Sequence, residues 1–140
     1  MALEFRYSDK NPSYPISFVA FRAMHTRIEV LLTGVEEAVG RTLAERVEAE
    51  MKALEHRFNC HDERSPLSAI NLRAGREVVE VDDDMFLALE LCDTFRRTTM
   101  GYFDVATDTA VAGQMSYQLD ASRHTVRFTS EGIRLDMGGF

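Results

Sequence analysis

Hydrophobic residues recur at steps of three and four along one long stretch of the chain. The positions are Val35, Val39, Leu43, Val47, Met51, Leu54 and Phe58. This period puts them on one face and predicts a helix over about residues 34–58. Thr33 precedes Glu36 by the spacing of a capping box, which indicates where the helix begins. A second run with the same period predicts a helix over about residues 83–99, capped by an aspartate and ended by Gly101.

Alternating apolar and polar positions predict strands in much of the remaining chain. They predict one or two strands over residues 18–32, a short strand over residues 77–81, and two or three over residues 117–137. The last of these covers residues 133–137. Residues 59–71 are mostly polar, include a proline, and predict a loop with one helical turn towards its end. Strands and helices in this order, without a repeated strand-helix unit, favour an α+β fold with a mixed or antiparallel sheet.

Turn-forming residues distinguish the N-terminal segment from the rest of the chain. Asn11, Pro12 and Pro15 all fall within residues 1–15, where they predict an N-terminal arm. The remaining residues, 16–140, are of a length that one domain with a real core requires.

Charge and hydropathy exclude several classes of partner. The chain has 16 basic and 23 acidic residues and a net charge of −7, which argues against nucleic acid because phosphate neutralisation needs clustered Lys and Arg. No apolar stretch approaches the ~20 residues that span a bilayer, so we expect a cytoplasmic protein without membrane insertion. Cys60 and Cys92 lack C-x-x-C spacing and predict reduced thiols. A phosphate-bearing ligand would need local positive charge, for which a divalent cation is suited.

Four short segments contain polar or aromatic residues that a core does not require. They are residues 23–26 (AMHT), 58–71 (FNCHDERSPLSAIN), 101–104 (GYFD) and 135–140 (LDMGGF). Each has an ordinary structural explanation, such as a core methionine, a loop held by its own serines, an aspartate cap or a simple glycine turn. Each also offers groups that bind ligands, including an imidazole ring, an aromatic pair and two carboxylates.

Taken in order, the four segments resemble the motifs of the ApbE family of flavin transferases, over roughly residues 21–140. The second segment is the most specific, because its spacing matches at Phe58, His61, Ser65, Leu67, Ser68 and Asn71. Members of this family act as Mg²⁺-dependent FAD:protein FMN transferases, which attach the FMN half of FAD to a threonine hydroxyl of a target flavoprotein. The resemblance therefore implies a role in flavoprotein maturation, with FAD as substrate, Mg²⁺ as cofactor and a flavoprotein bearing an acceptor threonine as partner.

The resemblance also assigns roles to individual residues. It implies FAD contacts for Met24, His61, Tyr102, Phe103, Asp104 and Asp136, and a magnesium ligand in the backbone carbonyl of Gly139. Two positions depart from the family pattern, since His25 replaces a glycine and His61 replaces a tyrosine that lies against the isoalloxazine ring. No residue of this chain matches the family's lysine, histidine or side-chain metal ligands further on, so the resemblance identifies no catalytic residue.

The matched motifs correspond to the N-terminal half of a flavin transferase, and the chain ends within the active-site loop. We therefore expect the 140-residue chain to be weakly active or inactive by itself, since each lost charge stabiliser costs on the order of 10²–10³ in rate. Three alternatives remain: a fragment or complementing half of an FMN transferase, a non-catalytic flavin-binding or regulatory domain, and an inactive pseudoenzyme. A bare sheet edge near residues 133–136 would favour a homodimer.

Overall fold

The computed structural model describes residues 2–106 and 108–138. Within them the strands are β1 (Glu4–Ser8), β2 (Ile16–Ala23), β3 (Thr26–Thr33), β4 (Val79–Glu80), β5 (Tyr117–Asp120) and β6 (Thr125–Phe128), and the helices are α1 (Glu37–Phe58), α2 (Pro66–Arg73) and α3 (Asp83–Thr98). All the pairings between these strands are antiparallel, so the predicted α+β class is confirmed. The described residues form two compact units, 2–57 and 58–138. No helix among them is both long and apolar enough to cross a bilayer.

The first unit packs α1 on a three-stranded sheet of order β1-β2-β3. Its buried centre consists of Val19, Phe21 and Ala23 from β2 and Ala44 from α1. The three β2 residues alternate along the strand, so they share the face that α1 covers. The predicted helix is confirmed, but its capping box is wrong, because Thr33 is the last residue of β3 and α1 begins at Glu37.

The connection between β2 and β3 is a turn of two residues, Met24 and His25. Both have positive φ angles, 52° and 60°, which is the pattern of a type I′ turn and suits the twist of a hairpin. Ala23 and Thr26 pair directly across it. The sequence predicted one or two strands here without a turn, because neither methionine nor histidine is a typical turn former.

β1 lies within the segment that the sequence predicted as an arm. Phe5 pairs with Val19, and Arg6 pairs with Phe18, whose ring lies 4.4 Å from the guanidinium carbon. Glu4 also forms a salt bridge to Arg27 at 3.3 Å. The segment therefore contains an edge strand of the first sheet, which the sequence analysis did not predict.

Gly40 marks the closest approach of α1 to the sheet. A Cβ atom at this position would overlap with Oγ of Ser17 and lie 3.6 Å from Cζ of Phe5. Ser17 is fully buried, and its hydroxyl has no hydrogen-bond partner among the described residues. Glycine at this point in the helix is therefore required by packing.

Replacing Gly40 by alanine is expected to lower the free energy of unfolding by about 1–2 kcal/mol. At an exposed helical site the same change stabilises by about 1 kcal/mol, so the overlap must outweigh the gain in helix propensity. Urea unfolding would measure the change. The double variant Gly40→Ala/Ser17→Ala should recover most of the loss because it removes the overlapping hydroxyl. A single variant as stable as the parent would contradict the packing explanation.

The second unit packs α2 and α3 with a small sheet of order β4-β6-β5. Leu67, Leu89, Val126 and Leu135 are completely buried at its centre. The predicted helix over 83–99 is confirmed as α3, with Asp82 as its N-cap, and the predicted strand over 77–81 is confirmed in part as β4. α2 is longer than the single helical turn that the sequence predicted.

Residues 133–137 do not form a strand, contrary to the sequence prediction. Their backbone N–H groups bond within the unit: Arg134 donates to Thr109 Oγ1 at 3.0 Å, and Leu135 donates to Asn71 Oδ1 at 2.8 Å. The N–H of Asp136 donates to the Val105 carbonyl at 2.7 Å. The backbone groups that we expected at a bare sheet edge thus have partners within the unit. The homodimer stays a prediction, but a bare edge no longer supports it.

Candidate functional site

The turn that follows α1 is fixed by two serines of the next helix. The Ser65 hydroxyl donates to the Asn59 carbonyl at 2.6 Å, and the Ser68 hydroxyl donates to the Cys60 carbonyl at 3.2 Å. Ser65 is also the N-cap of α2, since its side chain accepts from the Ser68 N–H at 3.0 Å. The serine pair of the motif therefore ties the start of α2 to the turn that precedes it.

Two further hydrogen bonds position Cys60 and His61 in this turn. The backbone N–H of His61 donates to Asn59 Oδ1 at 3.0 Å. Nη2 of Arg134 donates to the Cys60 carbonyl at 3.2 Å, which links the turn to residues close to the end of the chain. The imidazole of His61 is exposed, while Cys60 is half-buried.

Asp136 is positioned by a second set of contacts. Asn71 bonds both backbone groups of the preceding residue, Leu135, because its Nδ2 donates to the carbonyl at 2.9 Å and its Oδ1 accepts from the N–H at 2.8 Å. Oδ1 of Asp136 accepts from the Gly138 N–H at 2.7 Å. The asparagine of the α2 motif therefore determines where the aspartate of the terminal motif lies.

Cys60, His61 and Asp136 come together at this place. One ligand atom from each, the thiol sulfur, a ring nitrogen and a carboxylate oxygen, lies within 4.8 Å of the other two. Burial raises the pKa of the Cys60 thiol, and the charge of the neighbouring Asp136 carboxylate and a hydrogen bond to it raise this pKa further. The group can present a ring and a carboxylate to an organic ligand, or three donor atoms to a cation.

Beside this cluster is a shallow depression on the surface of the second unit. It is lined by Cys60, Glu63, Ser68, Asn71, Leu72 and Arg134. Polar side chains and one exposed leucine form its wall, a mixture that suits a ligand with both apolar and hydrogen-bonding parts.

Asp104 does not offer a free carboxylate. Its Oδ2 accepts from Arg96 Nε at 3.1 Å in a pair whose side chains are only 20% and 12% exposed for the arginine and the aspartate. Its Oδ1 accepts from the Ala106 N–H at 2.9 Å. Both carboxylate oxygens therefore already accept hydrogen bonds within the unit. A ligand could contact Asp104 only if Arg96 moved away or if one of these oxygens accepted a second hydrogen bond.

The two aromatic residues before Asp104 have different surroundings. The Tyr102 side chain is 94% exposed. The Phe103 ring is half-buried and meets the Phe95 ring edge-on at 5.9 Å between centroids. Phe103 therefore belongs to the packing of α3, and Tyr102 is the member of the pair that a ligand can reach.

The predicted site residues are thus only partly brought together. His61 and Asp136 lie side by side, and the backbone bond from Asp136 to Val105 links their surroundings to the segment of Asp104. Met24 lies in the hairpin turn of the first unit, and Gly139 lies outside the described residues. All of the proposed FAD contacts stay predictions.

The sequence analysis did not include Cys60 in the site. Its position next to His61 was the available indication, but Asp136 comes from a distant part of the chain. Both cysteines are free in this structure, and their reduced state stays a prediction. Arg96, which holds Asp104, was also missed because nothing in the spacing indicates that pair.

Comparisons with known proteins agree with the motifs. The family model of the ApbE family matches residues 24–140. The ApbE protein from Thermotoga maritima superimposes with a TM-score of 0.75 at 21% identity, over 88% of this chain and 47% of its own. The apo flavinyl transferase ApbE from Pseudomonas stutzeri gives a TM-score of 0.60 at 15% identity, over 97% of this chain and 45% of its own.

The present chain thus spans about half the length of these two solved structures. A comparison with curated proteins finds no significant match. The two structural likenesses establish the fold, and the family match extends over most of the residues. The chain belongs to the ApbE family.

Proposed function

We propose that this chain serves in flavin transfer, with FAD bound beside His61 and Asp136 and its FMN half passed to a threonine of a target flavoprotein. The observation that supports this proposal most is that these two side chains, from motifs distant in the sequence, lie next to each other. Membership of the ApbE family supports a flavin ligand, and the name of the Pseudomonas stutzeri structure supports flavinyl transfer.

His61 and Asp136 have complementary roles in this proposal. The exposed imidazole can stack on the isoalloxazine ring, although it covers less of the ring than a tyrosine would. Asp136 has one carboxylate oxygen engaged by the Gly138 N–H, and the other can accept a hydrogen bond from a flavin N–H group. Asn71 acts indirectly, because it positions the residue before Asp136.

The proposed reaction is a displacement at the FMN phosphorus. The threonine oxygen forms a bond to this phosphorus, the bond to the bridging pyrophosphate oxygen breaks, AMP leaves, and the threonine proton passes to a base. Mg²⁺ would neutralise the charge that develops on the pyrophosphate. Its predicted ligand Gly139 lies outside the described residues, and of the clustered side chains only the Asp136 carboxylate is the hard oxygen ligand that magnesium prefers.

A second candidate function is a flavin-binding module without catalysis. The observation that favours it is the composition of the cluster, which among the described residues supplies one carboxylate together with an imidazole and a thiol. Such a set can contact a flavin but is a poor ligand set for magnesium. The two functions share the FAD site and differ in whether AMP is released.

Titration of the purified chain with FAD, with and without Mg²⁺, tests both functions. We expect a saturable change in flavin fluorescence, and His61→Ala should weaken the affinity about tenfold because it removes the stacking ring. The exposed His56, in the last turn of α1, provides a matched control: His56→Ala should bind as the parent does. Asp104 is a poor probe since its replacement breaks the pair with Arg96.

The outcomes separate the alternatives. Mg²⁺-dependent release of AMP from FAD would support transfer, and saturable binding without AMP would support the non-catalytic module. A dissociation constant of about 1 mM corresponds to a binding free energy of only ~4 kcal/mol. If no flavin signal appears up to about millimolar FAD, the proposed flavin site is therefore wrong for this chain.

A further inference from the structure

We propose that Cys60, His61 and Asp136 form a binding site for a divalent transition-metal ion of the zinc type. This proposal uses two of the side chains assigned to the flavin site, His61 and Asp136, together with Cys60, but it does not require a flavin to be bound.

The geometry of the cluster is close to that of a metal centre. The three donor atoms lie within 4.8 Å of one another, whereas donors about 2.0–2.3 Å from a tetrahedral zinc ion are separated by roughly 3–4 Å. To bind the ion, the side chains have to bring these atoms about 1 Å closer together. His61 is exposed and can adjust its ring without disturbing the core.

The backbone on both sides of the cluster is already fixed. The Cys60 carbonyl accepts from Ser68 Oγ and Arg134 Nη2, both at 3.2 Å. The N–H of Asp136 donates to the Val105 carbonyl at 2.7 Å. A metal ion would therefore have to order only the ligand side chains, which lowers the entropic cost of binding.

The donor atoms favour zinc or cobalt over magnesium or calcium. A thiolate and an imidazole are ligands for transition metals, whereas magnesium and calcium select oxygen. The Cys60 thiolate and the Asp136 carboxylate together balance the charge of a divalent ion. Three protein ligands leave a fourth position for water, as in zinc sites that bind a further ligand.

Metal binding also replaces an existing proton. The Cys60 sulfur and an Asp136 carboxylate oxygen lie within 4.8 Å of each other, so the two groups are already adjacent. On binding, the sulfur–hydrogen bond breaks, the proton passes to solvent, and the metal–sulfur bond forms with the electron pair of the thiolate. The ion thus takes the place of the thiol proton beside a carboxylate that is already adjacent.

Co²⁺ and Zn²⁺ titrations of the metal-free chain test the proposal. With Co²⁺ we expect a thiolate-to-metal charge-transfer band, and calorimetry with Zn²⁺ should give one ion per chain. Cys60→Ser, His61→Ala and Asp136→Asn should each weaken Zn²⁺ binding at least about 10–100-fold. Replacing a residue that only hydrogen-bonds to a metal ligand already weakens binding by this much, and these variants change the ligands themselves. Cys60→Ser should also abolish the charge-transfer band.

Two control variants attribute the signal to this cluster. Cys92→Ala removes the other, buried cysteine and should keep the charge-transfer band. His56→Ala removes an exposed histidine of α1 and should keep the Zn²⁺ affinity. The proposal is overturned if the parent shows no charge-transfer band, if the band persists in Cys60→Ser, or if His61→Ala binds Zn²⁺ as tightly as the parent. Because no flavin is present, failure here leaves the proposed function unaffected.

Discussion

Replacing Asn71 by alanine is expected to lower the free energy of unfolding by about 2–5 kcal/mol. The side chain bonds both the N–H and the carbonyl of Leu135, a residue with no exposed surface. Alanine leaves both backbone groups without these partners, and each buried polar group left unsatisfied costs about 1–3 kcal/mol. The loss should also release Asp136 from its position, so ligand binding at the cluster should weaken in parallel.

Urea unfolding of three variants measures this contribution. Asn71→Asp keeps the acceptor for the Leu135 N–H but loses the donor and places a carboxylate against the carbonyl, so it should also destabilise. Gln118→Ala is the matched control, because it removes an exposed amide from the same unit, and its effect should stay within about 0.5 kcal/mol. If Asn71→Ala costs no more than Gln118→Ala, the two bonds to Leu135 do not stabilise the fold.

Raising the pH from about 9 to 11 is expected to remove about 2 kcal/mol of stability through Cys92 alone. This thiol has no exposed surface, and burial raises its pKa from 9.0 to about 11. Between these values the unfolded chain loses the thiol proton while the folded chain keeps it. The unfolded state then binds fewer protons, so the free energy of unfolding falls as the pH rises, by about 1 kcal/mol per pH unit on average.

Comparison of the parent with Cys92→Ala isolates this effect. The variant loses stability at every pH because of the cavity, but it should lose less than the parent between about pH 9 and 11. The pKa of Tyr117 is also raised, mainly by burial and further by the neighbouring Cys92. The part due to burial is common to both proteins and cancels in the comparison. Equal slopes of stability against pH in the two proteins would show that Cys92 ionises as readily in the fold as in the unfolded chain.

The two long helices were predictable because a helix that packs on a core needs apolar residues at the helical period. Within the predicted stripe of α1, Val47 and Met51 pack against the core of the first unit, whereas Val39 is exposed and the fully buried Ala44 lies outside the stripe. The stripe of α3 contributes Leu89 to the core of the second unit. The period therefore predicts that each helix packs on a core, but in α1 it does not identify the buried residues. The start of α1 was misplaced because Thr33 completes β3 and Gly34, with φ of 76°, separates the strand from the helix. Sequence spacing alone does not distinguish a capping threonine from a strand end.

The elements that were missed depend on contacts from elsewhere. β1 alternates between polar residues and the aromatic Phe5 and Tyr7, but nearby turn formers obscured this pattern. Residues 133–137 were predicted as a strand because apolar and polar residues alternate along them, yet Asn71 takes two of the hydrogen bonds that a neighbouring strand would provide. Tertiary partners, which local propensity does not contain, decide such cases.

The sequence predicted those residues of the candidate site that belong to the family's motifs. Motif matching selected His61 and Asp136, which the fold places together. It did not include Cys60, because only the folded chain brings this thiol against Asp136, and it did not predict that Arg96 holds Asp104. Side-chain partners in distant segments are the information that one sequence lacks.

The two sheets differ in the sequence distance between their paired strands. Residues 9–15 and 24–25 are all that separate β1, β2 and β3, whereas residues 81–124 lie between β4 and β6. Closing a longer loop costs more chain entropy before any contact compensates for it. The hairpin of the first unit can therefore assemble as soon as its residues are synthesised, while the sheet of the second unit must wait until β6 has been made.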